Sequence, residues 1–242
     1  MAARLGRTPA RFLNLLEAMR VPLPATSVPR SPEHLGEVIE TSTTEYVAQC
    51  FAPEDLSFPT MPALGSWLRA SDEAAHNDIY GVVCHTTTLP IDTVHRTRPL
   101  GLTTEQLQAQ QPQIFAMLRT EFRVVVLGFE PSERRGGLLP PFQYLPPRPP
   151  QIHQGVFRCD DIEIARFCRN TDFLRTLLQV QRAPTDELIA AVLRCSAAAC
   201  AATSQSDLAR RQWLLGAGRS LAILLRDDYE RLKSISSKLQ IH

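Results

Sequence analysis

Three runs decide the fold: LGEVIETSTTEYVAQCF at Leu35–Phe51, MPALGSWLRAS at Met61–Ser71 and NDIYGVVCHTTT at Asn77–Thr88. Each holds short segments rich in β-branched and aromatic residues, bounded by turn formers. Gly36–Thr41 is apolar in its middle, and Ser42-Thr43 reads as a turn. In Tyr46–Phe51, Tyr46, Ala48 and Cys50 fall on one face, and Val47, Gln49 and Phe51 on the other. Apolar residues on both faces predict strands covered on both sides. The turn-rich APEDLSFPTMPALG ends at Gly65, a strand is expected at Ser66–Ala70, and a polar hairpin at Ser71–Asp78 leads into Ile79–Thr88. Short strands at near-regular spacing predict a small barrel rather than an open sheet.

Upstream, Ala10–Ala18 reads as one or two helical turns. VPLPATSVPRSPEH then carries Pro22, Pro24, Pro29 and Pro32, which rule out a regular helix and favour an extended tether. Met19 stands just before that tether, so residues 1–18 are expected to be a mobile extension or to precede the true start. Residues 1–33 are thus assigned as a disordered or partly helical extension with a Pro-rich tether.

Downstream, a helical insertion is expected at about 102–121. Thr103 can cap a helix with Gln106 returning the bond, and Leu102 and Leu107 occupy hydrophobic-staple positions. Pro112 either ends that helix or opens a second one, and Ile114, Phe115, Leu118 and Phe122 recur at helical spacing. Strand character returns at Arg123–Phe129, and Glu130–Leu139 reads as an exposed loop tip. PPFQYLPPRPPQIHQ follows, whose prolines predict a polyproline stretch or a terminal edge. The barrel with its insertion is placed at 34–158.

From residue 159 to 242 the pattern is helical. Asp160 with Glu163 resembles a capping pair, and Thr171, Thr185 and Ser206 stand before later helices. Leu208, Leu215, Ala222, Leu225, Tyr229 and Leu232 form a stripe near the 3.6 period. The class expected is α+β: a small N-terminal β-barrel with a helical insertion, followed by a C-terminal helical bundle packed on it.

Composition excludes several partners. The chain has 26 Lys+Arg against 25 Asp+Glu, so no net field calls for DNA, a membrane or an acidic substrate. Only Lys233 and Lys238 are lysines, and all other basic residues are arginines. The six cysteines include no CxxC pair, which favours reduced thiols and a cytoplasmic setting. Trp213–Leu225 is too short to span a bilayer, so a soluble protein is expected.

Catalytic signatures are scarce. A P-loop needs a lysine after glycine to reach nucleotide phosphates, and neither lysine follows one. Gly216-Ala217-Gly218 lies in a helical stripe with Leu221 where a dinucleotide loop needs a third glycine, which predicts close helix packing instead. No GxSxG occurs. Cys84, His85, His95, His153 and Cys159 are too scattered for a structural zinc site, and Cys84 and His85 point to opposite faces of a strand. No catalytic residue, cofactor or metal is therefore assigned. Arg96, Arg98, Arg134, Arg135 and Arg148 are the candidate contacts to phosphate or to a protein partner.

GEVIETSTTEYVAQCF, GSWLRAS and IYGVV resemble the HAS-barrel, the small barrel shared by HerA-type helicases and ATP-synthase subunits. The matching features are the glycine-led strand at Gly36, the Ser42-Thr43 turn, Gly65 before the third strand and Tyr80–Val83. VPLP, PLGLTTEQLQAQQPQIFAMLRTEF, YLPPRPPQIHQ and LLRDDYERL extend the resemblance to stand-alone HAS-barrel proteins of cyanobacteria. Where the helicases and the synthase continue into a nucleotide-binding domain, this chain has a helical segment without a P-loop. The resemblance therefore implies a module that docks partners or associates with itself, without ATP hydrolysis. The alternative is a nucleic-acid-associated accessory factor working beside a separate HerA-type ATPase.

Overall fold

The computed structural model describes residues 30–52, 61–91 and 99–239. The chain divides into two compact units, Met1–Ser31 and Pro32–His242, and all the elements below belong to the second. The expected N-terminal helical turns, most of the tether, Arg96 and Arg98 lie outside the described residues.

Six antiparallel strands close into a barrel: β1 (His34–Thr41), β2 (Glu45–Cys50), β3 (Trp67–Asp72), β4 (Asn77–Pro90), β5 (Leu118–Pro131) and β6 (Gly155–Arg158). Their order around the barrel is β1-β2-β5-β4-β3-β6. The four-residue β6 closes it, pairing with β1 on one side and β3 on the other. Closure removes every free edge along the paired length.

Alternation along each strand sorts the side chains into two cores. Val38, Tyr46, Ala48, Leu68, Ile79, Phe122 and Val126 fill the barrel interior. Trp67, Tyr80, Val82, Cys84, Val125 and Leu127 point outward and join a second core beneath the helices. Val126 and Phe129 both face inward although they are three residues apart. A bulge opposite Tyr80 and Gly81 absorbs the extra residue and restores the inward phase.

The insertion holds two short helices, α1 (Thr104–Gln110) and α2 (Gln113–Ala116). Thr103 and Gln106 form the expected capping box, and Pro112 caps α2. The helical reading of Leu118 and Phe122 is overturned: both belong to β5, whose Leu118–Phe122 pairs with Thr86–Pro90 of β4. One further expectation gives way: Glu130 is a buried strand residue rather than part of a loop tip. The expected polar hairpin at Ser71–Asp78 forms, with Asp72 and Asp78 buried against partners described below.

Five helices follow: α3 (Asp161–Phe167), α4 (Phe173–Leu178), α5 (Thr185–Ser204), α6 (Asp207–Leu224) and α7 (Tyr229–Ser237). Asp160 and Glu163 make the expected capping box on α3. α5 is central and touches each of the other four. Gly65, at φ +79°, lets the loop before β3 press against it, since a Cβ there would stand 2.7 Å from the Ala191 Cβ. Trp67 Nε1 donates to Ser196 Oγ at 3.0 Å, fixing α5 to the outer face of β3. Among the described residues α5 is the one helix long and apolar enough to cross a membrane, not Trp213–Leu225, and half of its apolar window is buried in this core.

The stripe expected on the last helices forms a core face only in part. Leu225 and Leu232 pack with Ala217, Leu221 and Ile235, whereas Leu208, Leu215, Ala222 and Tyr229 are exposed. Gly216 and Gly218 do not serve close helix contacts, because a Cβ on either would meet nothing within 4 Å.

Candidate functional site

The barrel and the helices are joined through carboxylates that the sequence places far from their partners. On β5, Glu130 accepts from the Tyr80 hydroxyl at 2.5 Å and from Arg166 Nη1 of α3 at 2.7 Å. Arg166 Nη2 donates to the other side of the same carboxylate, making the pair bidentate. The hydrogen bond to Glu130 raises the Arg166 pKa, keeping the guanidinium charged. Burial, then the bond to Glu130, raises the Tyr80 pKa and keeps its phenol protonated. The three groups satisfy one another through the carboxylate, the hydroxyl and both Nη atoms, leaving Arg166 Nε buried without a partner.

One helical turn earlier on α3, Glu163 accepts from Arg69 Nε at 3.2 Å, and Arg69 Nη1 donates to Asp78 at 3.1 Å. Burial pushes the Arg69 guanidinium toward neutrality, and Asp78 and Glu163 more than reverse it. An acid and a base three residues apart on α3 thus meet opposite charges on the barrel wall. Two further joints complete the frame. Asp72 accepts from its own turn at Ala75 N, from Arg148 Nε at 3.1 Å and from Gln154. Glu45 of β2 accepts from Arg123 at 2.6 Å and from Arg182 of the α4–α5 connection at 2.9 Å.

These joints account for the described arginines that the sequence singled out. Arg148 holds the proline-rich segment onto Asp72, and Arg135 lies 4.0 Å from Asp78 and 3.7 Å from Glu163. Arg134 stacks over the Phe142 ring, 5.2 Å from its centroid. Arg135 and Arg148 thus converge on the two ends of the β3–β4 turn, each facing a carboxylate rather than an open phosphate cradle. Asp72, Asp78, Glu130 and Arg166 were missed by the sequence reading. The only local signal was their place at strand ends or on a capped helix.

Cysteine chemistry is suppressed by burial. It pushes the Cys50 and Cys84 thiols from 9.0 up to about 11 and carries those of Cys159 and Cys168 higher still. Cys195 and Cys200 shift upward for the same reason. Among the described residues no three His, Cys, Asp or Glu side chains gather to hold a metal ion. Two shallow clefts of about 470 and 420 Å³ meet at Arg169 and Trp213, beside α3 and α6. Neither contains a nucleophile paired with a base.

Beside its exposed charges, the surface also carries large apolar side chains. Leu138 and Leu139 are 89% and 64% exposed. Their carbonyls are held by Arg169 Nη1 at 2.6 Å and Arg166 Nη1 at 3.0 Å, so this tip is fixed from beneath. Leu89, Ile91, Leu100 and Met117 are exposed around the far end of the β4–β5 ribbon. The longest such run lies on α6, where Leu208, Leu215 and Ile223 are 61%, 62% and 71% exposed. Exposed apolar side chains on regular elements are what a protein interface needs. No protein-family model matches the chain, and no curated protein matches it.

Proposed function

We propose that this chain is a non-enzymatic assembly module built on a HAS-like barrel, which associates with itself or with a partner protein in the cytoplasm. The observation that carries the reading is the division of the surface. Its buried carboxylates face arginines and a tyrosine, while leucines and an isoleucine stand exposed on α6 and on the anchored Leu138-Leu139 tip. The closed six-stranded barrel, lying where the resemblance places one, supports the HAS-like part of the proposal.

Affinity capture with the whole chain, together with light scattering on the purified protein, tests it. Assembly is expected, and a strict monomer that retains no partner contradicts it. The accessory-factor reading on nucleic acid draws less support, because Arg135 and Arg148 already face carboxylates. Titration with labelled duplex and single strand across a salt series decides that alternative, and no binding at low salt removes it.

A further inference from the structure

We infer that the joined clefts beside Arg169 and Trp213 are a binding site for a small aromatic monocarboxylate, with Arg169 holding the carboxylate and Trp213 carrying the ring. This site is separate from the apolar surfaces of the assembly reading, and either can fail alone.

Arg169 follows the C-terminal end of α3 and is exposed. Its Nη1 donates to the Leu138 carbonyl at 2.6 Å, which fixes where the guanidinium lies. Among the described residues no carboxylate pairs with it, and its Nε and Nη2 have no partner. Those two N–H groups stand side by side on the free edge of the planar group, the spacing that grips both oxygens of a carboxylate. Arg166, three residues earlier on α3, shows the contrast: both of its Nη atoms are already spent on Glu130.

Trp213 supplies the platform. Its Nε1 donates to the Cys168 carbonyl at 2.8 Å, so the half-buried indole is held in one orientation. It packs on the helical core and lines both clefts. The second cleft, of about 420 Å³, runs from it between the apolar walls of Leu138, Ile162 and Ala165. The first, of about 470 Å³, stays open beside it because Gly216 lies three residues along α6, where a Cβ would meet nothing within 4 Å. Sites for small molecules span roughly 300–1,000 Å³, and ring stacking adds to the gain from burial alone.

Charge chooses the side and the ligand. Asp172 lines the first cleft, whereas no Asp or Glu is among the described residues lining the second. The anion therefore sits on the second side. At its rim Thr203 donates to the carbonyl of exposed Asp161 at 3.2 Å, so a second negative charge on the ligand would approach an aspartate. A ring with a short arm and a single carboxylate satisfies these limits.

Isothermal titration of the whole chain with phenylacetate, and with neutral phenylacetamide, tests the site. Saturable one-to-one binding of phenylacetate is expected, with the amide weaker by about 10-fold or more, the scale of hydrogen bonds to a charged group. Trp213 fluorescence should respond while Trp67, enclosed at 2% exposure, stays silent. Arg169→Gln should erase the preference for acid over amide, and Trp213→Leu should weaken both ligands alike. Each of these changes also removes an internal hydrogen bond. Ala165→Leu leaves both bonds in place, fills the second cleft, and should block phenylacetate on its own.

Absence of saturable phenylacetate binding at millimolar concentration overturns the inference. Equal binding of acid and amide also overturns it, as does phenylacetate binding that survives Arg169→Gln and Ala165→Leu.

Discussion

α5 and α6 are neighbours of 20 and 18 residues, and both carry apolar side chains along most of their length. Leu188, Ile189, Ala190, Ala191, Val192 and Leu193 are consecutive and all buried, so this stretch of α5 is enclosed, and only a narrow line through Glu187, Arg194 and Ala198 is open to solvent. Barrel wall lies on one side and four helices share the rest. α6 rests on α5 and α7 through a narrow strip and turns its seven-residue repeat to solvent. The difference shows that apolar periodicity reports a face meant to be covered, but not what covers it. In α5 the cover is intramolecular, and on α6 the described residues supply none.

The contrast can be broken most severely at the joint that holds the helical layer onto the barrel. Replacing Arg166 by Leu leaves Glu130 charged and buried, and it strips the donor from the Leu139 carbonyl. A loss of about 3–5 kcal/mol in urea unfolding is expected. A change below 1 kcal/mol would mean that the layer is not anchored there.

Truncation of equivalent leucines tests the two helices directly. Leu193→Ala in α5 should cost about 2–5 kcal/mol, because a fully enclosed site cannot collapse around the void. Leu215→Ala in α6, measured at a concentration where the chain is monomeric, should stay within about 0.5 kcal/mol. Similar costs for both would erase the distinction.

Alkali attacks the α5 layer and the barrel while sparing α6, which holds none of the six cysteines. A thiol whose folded pKa is raised binds its proton more tightly in the native state. Its contribution is therefore complete below the ordinary value of 9.0 and fades as pH rises through about 11. The denaturant midpoint should be flat from pH 7 to the ordinary thiol value and then fall, together with the Trp67 fluorescence shift. A flat profile to pH 11 would contradict the burial of these thiols.

The smallest effect concerns Gly216. A Cβ there would meet nothing within 4 Å, so Gly216→Ala should add up to about 1 kcal/mol in urea unfolding through helix propensity, and a loss instead would mean that the position is packed.

Much of the fold was readable because it is local. The capping boxes at Thr103–Gln106 and Asp160–Glu163 involve residues three apart, whose spacing alone brings the side chain to the backbone N–H. The two-sided strand β2 likewise announced itself through apolar residues on both faces. β6 was not legible: Gly155–Arg158 is four residues long and becomes a strand only because β1 and β3 present unpaired backbone on either side. Phe122 misled for a related reason, since its spacing from Leu118 fits a helix until pairing with Thr86 fixes it in the barrel.

The sequence by itself determined the class: turn-punctuated strands, an inserted helix with its own cap, and a helical C-terminal part whose sequence holds no P-loop. These follow from interactions between residues a few positions apart, which the chain carries wherever it folds. Only the tertiary structure decided that Glu130 and Asp78 are buried, that Arg135 and Arg148 face carboxylates, and that the Leu208–Leu215–Ala222 repeat looks outward. Burial and charge pairing depend on side chains brought together from separate elements, 36 residues apart in Glu130–Arg166, 76 in Asp72–Arg148 and 94 in Arg69–Glu163. Nothing in a local pattern encodes that arrival.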